Sequence, residues 1–449
     1  MAQYRKDLQI IDDSPQRYEM FMLADRYGNQ TTDSKSTVID AFGRQRVSTP
    51  YTLFDSQHRY RLNGKYTTHV NALEGATGFT GSTGVGSSFI LHSPNESAVE
   101  MHVGTRSGDW VIRESKNVFP YQPGKSLLCM ESFTFNAPKE GLRQRIGYFG
   151  HQNGIYFEND GVNNYFVLRS YSGGVSGATG PVGTIVEARI PQSEWNVDTF
   201  DGSGDSLITI DVTKANIMFV DIEWLGVGDV RVGFVVNGSM RVAHIFSNVN
   251  NNASTYMTTA CLPTRHEIEN TGTTTSPSMT RQICNTVISE GGYDLKGTSY
   301  SASRGVVGYQ TLNGTGTPTP TVSIRLNSSY LDQIAILSEL SVLLDSNTNL
   351  QYKLLLNATI NPTNWVTSAS GRIDYNIDAT TVSGGTEILS GFLATHSTIS
   401  LQSTSIQLGR TVVDTSKSIT GISDVLTLAL TSFGNNTKVA TLLGWSELI

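Results

Sequence analysis

The 449-residue chain sets 32 Lys and Arg against 39 Asp and Glu, a formal net charge of -7; that argues against a nucleic-acid groove, which needs clustered cations to replace counterions. Only 16% of residues are charged while glycine numbers 43, a strand-and-turn composition poor in helix-filling residues, so an all-β protein is expected. No apolar run reaches membrane-spanning length, and the start MAQYRKDLQII lacks a signal peptide's apolar core, which points to synthesis in a cytosol.

Residues 1–40 mix Tyr4, Tyr18, Phe21 and Tyr27 with polar residues, without sustained strand or helix periodicity. Such a segment cannot build a core alone. It reads as an extended N-terminal arm whose aromatics anchor it on a neighbouring subunit, with a floppy terminus as the plain alternative.

Residues 41–296 read as a jelly-roll-like antiparallel β-sandwich. The glycine-rich runs at 75–86 and 173–183 are expected as flexible surface loops. Between them lie short segments such as DWVIRES, SLLCMESFTF, RIGYFG, GIYFEND, NYFVLRSYS and TIVEARI, rich in β-branched and aromatic residues and bounded by turn formers. The stretch from Trp195 to Phe246 is the organising meander. Val230, Val232, Phe234 and Val236 share one face and Arg231, Gly233 and Val235 the other, while Asn237-Gly238 supplies a hairpin turn that matches strand twist. In the preceding run, Val220, Ile222 and Trp224 face away from Phe219, Asp221 and Glu223.

Residues 297–320, rich in Gly, Ser, Thr and Pro, are expected as a linker, and 321–449 as a second, smaller β-sandwich. In the latter, Ile334–Leu344 fits helical spacing or strand alternation. Strand is preferred, because LQYKLLL, TEILSGFLA, SDVLTLALTSF and VATLLGWSEL around it are strands.

Five segments together, VGTRSGDWVIRESKNVFPYQPGKS, LRQRIGYFG, DIEWLGVGDVRVGFVVNG, YMTTACLPTRHEIENTG and VISEGG, resemble a family of tailed-bacteriophage virion structural proteins. ILSGFL and LGWSEL extend the resemblance through the second half, so that it covers the chain from about Ala41 onward. It implies a non-enzymatic part of a phage particle: an accessory capsid, neck, tail or baseplate component, assembled in the host cytoplasm. Its partners would be other virion proteins and copies of itself, with neither nucleic acid nor membrane. The alternative is a receptor- or carbohydrate-binding module of the same particle, whose partner is a host-surface glycan.

Enzyme chemistry has one foothold. Asp221 and Glu223 project together from one strand face, as the acid and nucleophile of a glycan depolymerase would, but the third carboxylate of the Glu-x-Asp-x-x-Glu pattern is missing. Solvation, or pairing with Arg231 across the hairpin, explains the same letters. The loop Asp198–Asp205 offers hard oxygens to a cation, yet lacks the ligand order of a calcium loop and reads as an acidic turn. His58, His244 and His266 show no metal or triad spacing, and no nucleotide or nucleophile-elbow motif occurs, so no catalytic, metal or cofactor residue is assigned. Trp110, Trp195 and Trp365 fit a sandwich core better than a sugar platform. Cys129, Cys261 and Cys284 are expected as small buried side chains without disulfides.

Overall fold

The computed structural model describes residues 50–60, 62, 65–71, 88–175, 178–294, 297–314, 316–331, 333–402, 406–408, 410–412 and 421–448. The expected arm, with Tyr4, Tyr18, Phe21 and Tyr27, and the glycine run at 75–86 lie outside the described residues.

The strands of the first half begin with β1 (Tyr51–Gln57), β2 (Tyr66–Val70), β3 (Phe89–Ser93), β4 (Ala98–Val103), β5 (Trp110–Ser115) and β6 (Leu127–Thr134). They continue with β7 (Leu142–Phe149), β8 (Gly154–Asn159), β9 (Asn164–Ser170), β10 (Gly174–Val175), β11 (Ala178–Thr179) and β12 (Val186–Pro191). β13 (Asn216–Ile222), β14 (Val230–Val236), β15 (Ser239–Phe246), β16 (Thr264–Asn270) and β17 (Ser278–Ser289) complete the set. One eight-stranded sheet runs β15, β14, β13, β6, β17, β4, β3, with β1 also on β17, and a seven-stranded sheet runs β12, β9, β8, β7, β16, β5, β2. β10 and β11 form a small hairpin where a flexible loop is expected. The only described helical element is the three-residue 3-10 turn Gln192–Glu194.

The two sheets enclose one aromatic-rich core, as the alternation requires. Val230, Val232 and Phe234 of β14 point into it beside Met218, Val220 and Ile222 of β13. The Phe234 ring is 1% exposed and lies 5.3 Å from Phe157, 5.7 Å from Phe166 and 5.4 Å from Phe200. At the turn to β15, Asn237 (φ 53°) and Gly238 (φ 75°) both take the left-handed conformation that a two-residue hairpin demands.

Further along β5 and β16 the interior turns polar. Arg113 is fully buried, donating from Nε to Gln282 Oε1 at 2.7 Å and from Nη1 to Thr68 Oγ1 at 2.8 Å, with its guanidinium 4.5 Å from the Tyr66 ring centre. On β6, buried Glu131 faces Cys129 Sγ at 3.8 Å.

The second half comprises β18 (Thr298–Arg304), β19 (Gln310–Leu312), β20 (Thr319–Leu326), β21 (Ile334–Leu344), β22 (Leu350–Leu356), β23 (Thr359–Asn361), β24 (Val366–Thr367) and β25 (Ile373–Asn376). After these come β26 (Thr381–Ser383), β27 (Thr386–Leu393), β28 (Thr398–Gln402), β29 (Arg410–Val412), β30 (Gly421–Ser423), β31 (Val425–Ser432) and β32 (Thr437–Leu448). A five-stranded sheet (β18, β32, β21, β28, with β19 on β32) faces a six-stranded one (β24, β25, β20, β31, β22, β27). Their core is mostly leucine, with Trp445 and Tyr352. Ile334–Leu344 is a strand.

Two expectations need correction. The stretch 297–320 is not a free linker: β18 and β19 both pair with β32, and Ala302 and Leu312 are core residues. Small polar residues suffice there because an edge strand needs backbone pairing and only a few inward side chains. Of the cysteines, Cys129 is buried but Cys261 and Cys284 are only half-buried. A register shift between Gln282 and Cys284 interrupts the alternation of β17 and turns Cys284 to the outer face.

Residues 50–449 form one compact unit. Val118 of the first sandwich packs with Ile334, Ile336 and Leu448 of the second, and Gln407 Nε2 donates to Val118 O at 3.1 Å.

Phe234→Ala should remove a ring from the centre of the first core and cost about 3–5 kcal/mol. Denaturant midpoints of the full chain would show it. A loss below about 1 kcal/mol would place the core elsewhere.

Candidate functional site

Short alternating strands put every second side chain of the seven-stranded sheet on its outer face, and there the sequence supplies charge. Arg143 and Arg145 come from β7, Tyr156 and Glu158 from β8, and Tyr165 and Arg169 from β9. Glu187 and Arg189 come from β12, and Arg265, Glu267 and Glu269 from β16. The antiparallel register sets Arg145 directly between Glu158 and Glu267.

Arg145 Nε donates to Glu158 Oε2 at 2.5 Å and Nη1 to Glu267 Oε2 at 3.3 Å. Arg265 bridges Glu267 at 2.6 Å and Glu114 at 3.0 Å. Arg143 reaches Glu269 at 2.5 Å, Arg169 reaches Glu187 at 2.8 Å, and Arg189 binds both Glu158 and Asp160. The guanidiniums also form a layer over aromatic rings: Arg169 lies 5.1 Å from the Tyr156 ring centre, Arg145 5.3 Å from the same ring, and Arg189 4.1 Å from that of Tyr165. Gly147 and Gly154 leave room for Tyr156 and for Phe149, whose ring centre also lies 5.6 Å from Arg169, since a Cβ at Gly154 would fall 2.2 Å from Phe149 Cβ and one at Gly147 2.7 Å from Tyr156 Cα.

Burial and charge compete strongly here. Burial alone would raise the Glu267 carboxyl, but Arg265, Arg145 and Arg169 overcome it and hold it well below the usual range. Burial would lower Arg145, and Tyr156, Glu267 and Glu158 instead raise it well above normal. Glu187 is likewise held below the usual range by Arg169 and Arg145, against the effect of its burial, and Asp160 by the backbone N–H groups of Asn163 and Val162 with Arg189 beside it. A groove of about 320 Å³ opens among Arg143, Arg145, Asp160, Glu187, Arg189 and Thr271.

The residues singled out from sequence lie elsewhere. Asp221 and Glu223 do come together, on the outer face of the eight-stranded sheet, both bound to one nitrogen of Arg231 at 2.6 and 3.0 Å. Burial pushes the Asp221 carboxyl up to about 7, with Arg231 partly offsetting the shift. Glu223 is largely exposed, whereas Asp221 is only 8% exposed and its Oδ1 has no hydrogen-bond partner among the described residues. The pairing with Arg231 is thus the geometry observed.

The Asp198–Asp205 loop is an acidic turn. Asp198 accepts from the backbone N–H groups of Phe200 and Ser206, and Asp201 from Ser203 and Thr199. Among the described residues no group of three His, Cys, Asp or Glu is placed to hold a metal ion. Trp110 and Trp195 are buried, and Trp365 is half-buried beneath Arg325, 4.3 Å from its ring centre. His266 is buried against Thr280 at 3.0 Å, and burial lowers it to about 3. The local sequence signal for the lattice is partial: LRQR, VEAR and RHEIE place charges at every second position, while YFEN and YFVLR each carry a single charge two or four residues from a tyrosine.

No protein-family model matches the sequence, and no curated protein does. Among solved structures, the chain is similar to a Bacillus licheniformis beta-glucanase, with 10% identity and a TM-score of 0.32 over 52% of this chain and 96% of that one. It is similar to the CBM2 module of an evolved Dit of Lactobacillus casei phage J-1, with 8% identity and a TM-score of 0.33 over 55% and 99%. A carbohydrate esterase of the Shiga toxin-encoding bacteriophage phi24B matches with 10% identity and a TM-score of 0.28 over 54% and 100%. At these scores the likenesses carry no functional inference.

Two outcomes test this description. Arg145→Ala leaves Glu158 and Glu267 short of a partner and should cost about 3–5 kcal/mol. Lys353→Ala, which breaks the more exposed pair with Glu387, should cost less than about 1 kcal/mol in the same thermal or denaturant titration. For Asp221, the folded-state value lies above the unfolded one, so its contribution to stability is fully present below about pH 4 and is lost as pH rises through about 7. Asp221→Asn should therefore gain stability relative to wild type as pH climbs through that window, then run parallel to it. A constant difference from pH 3 to pH 9 (about the practical range) would refute the burial described for this carboxyl.

Proposed function

We propose that this chain is a non-enzymatic structural subunit of a tailed-phage particle, joining other virion proteins and copies of itself through its β-sandwich faces and the segment 1–40. The observation that carries this reading is the charge lattice on the seven-stranded sheet. Its buried carboxylates are locked by guanidiniums, an arrangement that fixes the shape of a surface and suits a repeated contact better than proton transfer. Two further features support it. The seam at Val118, Ile334, Ile336 and Leu448 makes a single body of two sandwiches. On the second of them, Phe392 and Phe433 stand 70% and 63% exposed with ring centres 6.3 Å apart, a pair suited to anchoring a neighbouring subunit. The resemblance of DIEWLGVGDVRVGFVVNG and the companion segments to phage virion proteins points the same way.

The chain would be made in the host cytoplasm and end in the particle. Imaging of purified particles labelled on this protein should show it at a fixed, repeated position, and its absence from particles would end the proposal. Because the described core strands begin at Tyr51, removing residues 1–40 should leave a folded protein that no longer joins the particle. Undiminished incorporation of that shortened chain would take the segment out of the docking role.

A further inference from the structure

The groove on the seven-stranded sheet has hydrogen-bonding capacity that the lattice leaves unused. Its accessible members are Arg143, Asp160, Glu187 and Arg189, whose side chains are 28%, 26%, 24% and 37% exposed. Among the described residues, Arg143 donates through Nη2 only, to Glu269. Among the described residues, Arg189 donates through Nε and Nη2 only, and Arg145 through Nε and Nη1 only. Among the described residues, the Oε1 atom of Glu187 accepts from Tyr156 and Arg169 and its second oxygen accepts from none. Three guanidiniums with spare N–H groups and one carboxylate with a spare oxygen thus line the same 320 Å³. A volume at the small end of ligand pockets, which run from about 300 to 1,000 Å³, suits one residue of a longer chain.

The excess of donors calls for a ligand rich in acceptors, and the guanidinium fork favours a carboxylate in particular. The free oxygen of Glu187 calls for a donor on the same ligand. A deoxyribose-phosphate backbone offers no such donor, and a chain of net charge -7 disfavours DNA and RNA alike. A sugar ring that bears a carboxylate offers both, with hydroxyl groups next to the acid. We propose that this groove binds a carboxylate-bearing sugar residue of an acidic polysaccharide, its carboxylate held between Arg143 and Arg189 and a ring hydroxyl donating to Glu187. This reading uses the same lattice that carries the particle role, but its test is independent of incorporation into a particle.

The experiment titrates the full chain with oligogalacturonate, oligoglucuronate and a sialyl oligosaccharide, with neutral oligogalactose and a poly-glutamate peptide as comparisons. At least one acidic oligosaccharide should bind, with oligogalactose at least about tenfold weaker, and raised salt should weaken the acidic ligand. Arg143→Ala and Arg189→Ala should each reduce affinity about tenfold or more. Glu187→Gln, which keeps the side chain's shape, should also weaken the sugar, and thermal melts of each variant separate lost binding from lost folding. Three results would overturn the proposal: no acidic oligosaccharide binds folded wild type, the folded variants bind as wild type does, or poly-glutamate binds better than every sugar and depends on the same arginines.

Discussion

Glu158 has no exposed surface, yet it sits on the outer face of a sheet, and Arg145 and Arg189 make its charge tolerable by reaching it from opposite sides. Leaving such a carboxylate without partners would cost several kcal/mol, more than a third of many a domain's whole stability. The constraint therefore acts on register. If β8 slipped one residue against β7, Glu158 would face away from Arg145, and the rings of Tyr156 and Phe149 would lose the space that Gly147 and Gly154 leave for them. Hydrophobic alternation tells each strand which face is inward. The ionic lattice selects one of the pairings compatible with that choice.

The inner polar groups obey a different rule. Arg113 is buried against neutral partners, Gln282 and Thr68, and against the Tyr66 ring, and burial lowers it to about 10. Burial likewise pushes the Glu131 carboxyl well up, which favours its neutral form beside Cys129 and Asn285. The interior thus favours a neutral carboxyl at Glu131 and sets Arg113 among neutral groups, whereas the outer face sets its charges against one another in pairs. An all-apolar core would have been more permissive about how the sheets slide. A buried guanidinium that needs Gln282 from one sheet and Thr68 from the other pins them together.

Much of the architecture was legible because alternation is a local signal. Val232 and Phe234 against Arg231 and the Asn237-Gly238 turn follow from neighbouring letters, while Ile334–Leu344, ambiguous in its own spacing, follows from the strands around it, and the structure agrees with each. What was not legible depends on partners far along the chain. The residues after Gly297 look like a linker until β32, more than a hundred residues later, supplies the strand they pair with. Arg145 and Glu267 meet only because β16 is inserted between β7 and β5. Each strand showed a few charges that read as ordinary solvated positions, and strand order made them a lattice. The half-buried Cys284 has a local cause, a bulge in β17, that no letter announces.

The place of β32 in the second sandwich has a consequence for how the protein is made. It pairs with β18 and β19 on one side and β21 on the other, and its inward residues include Val439, Leu443 and Trp445. Until residues 437–448 have left the ribosome, the five-stranded sheet lacks its central member, and the leucines of β21 have no second flank. The first sandwich has all its strands by Ser289 and can close while translation continues. For the time needed to add some 150 residues, about 8–30 s at ordinary elongation rates, a folded first half trails an open, leucine-rich second half. During that interval the nascent chain, not the finished protein, is the form most in need of a chaperone.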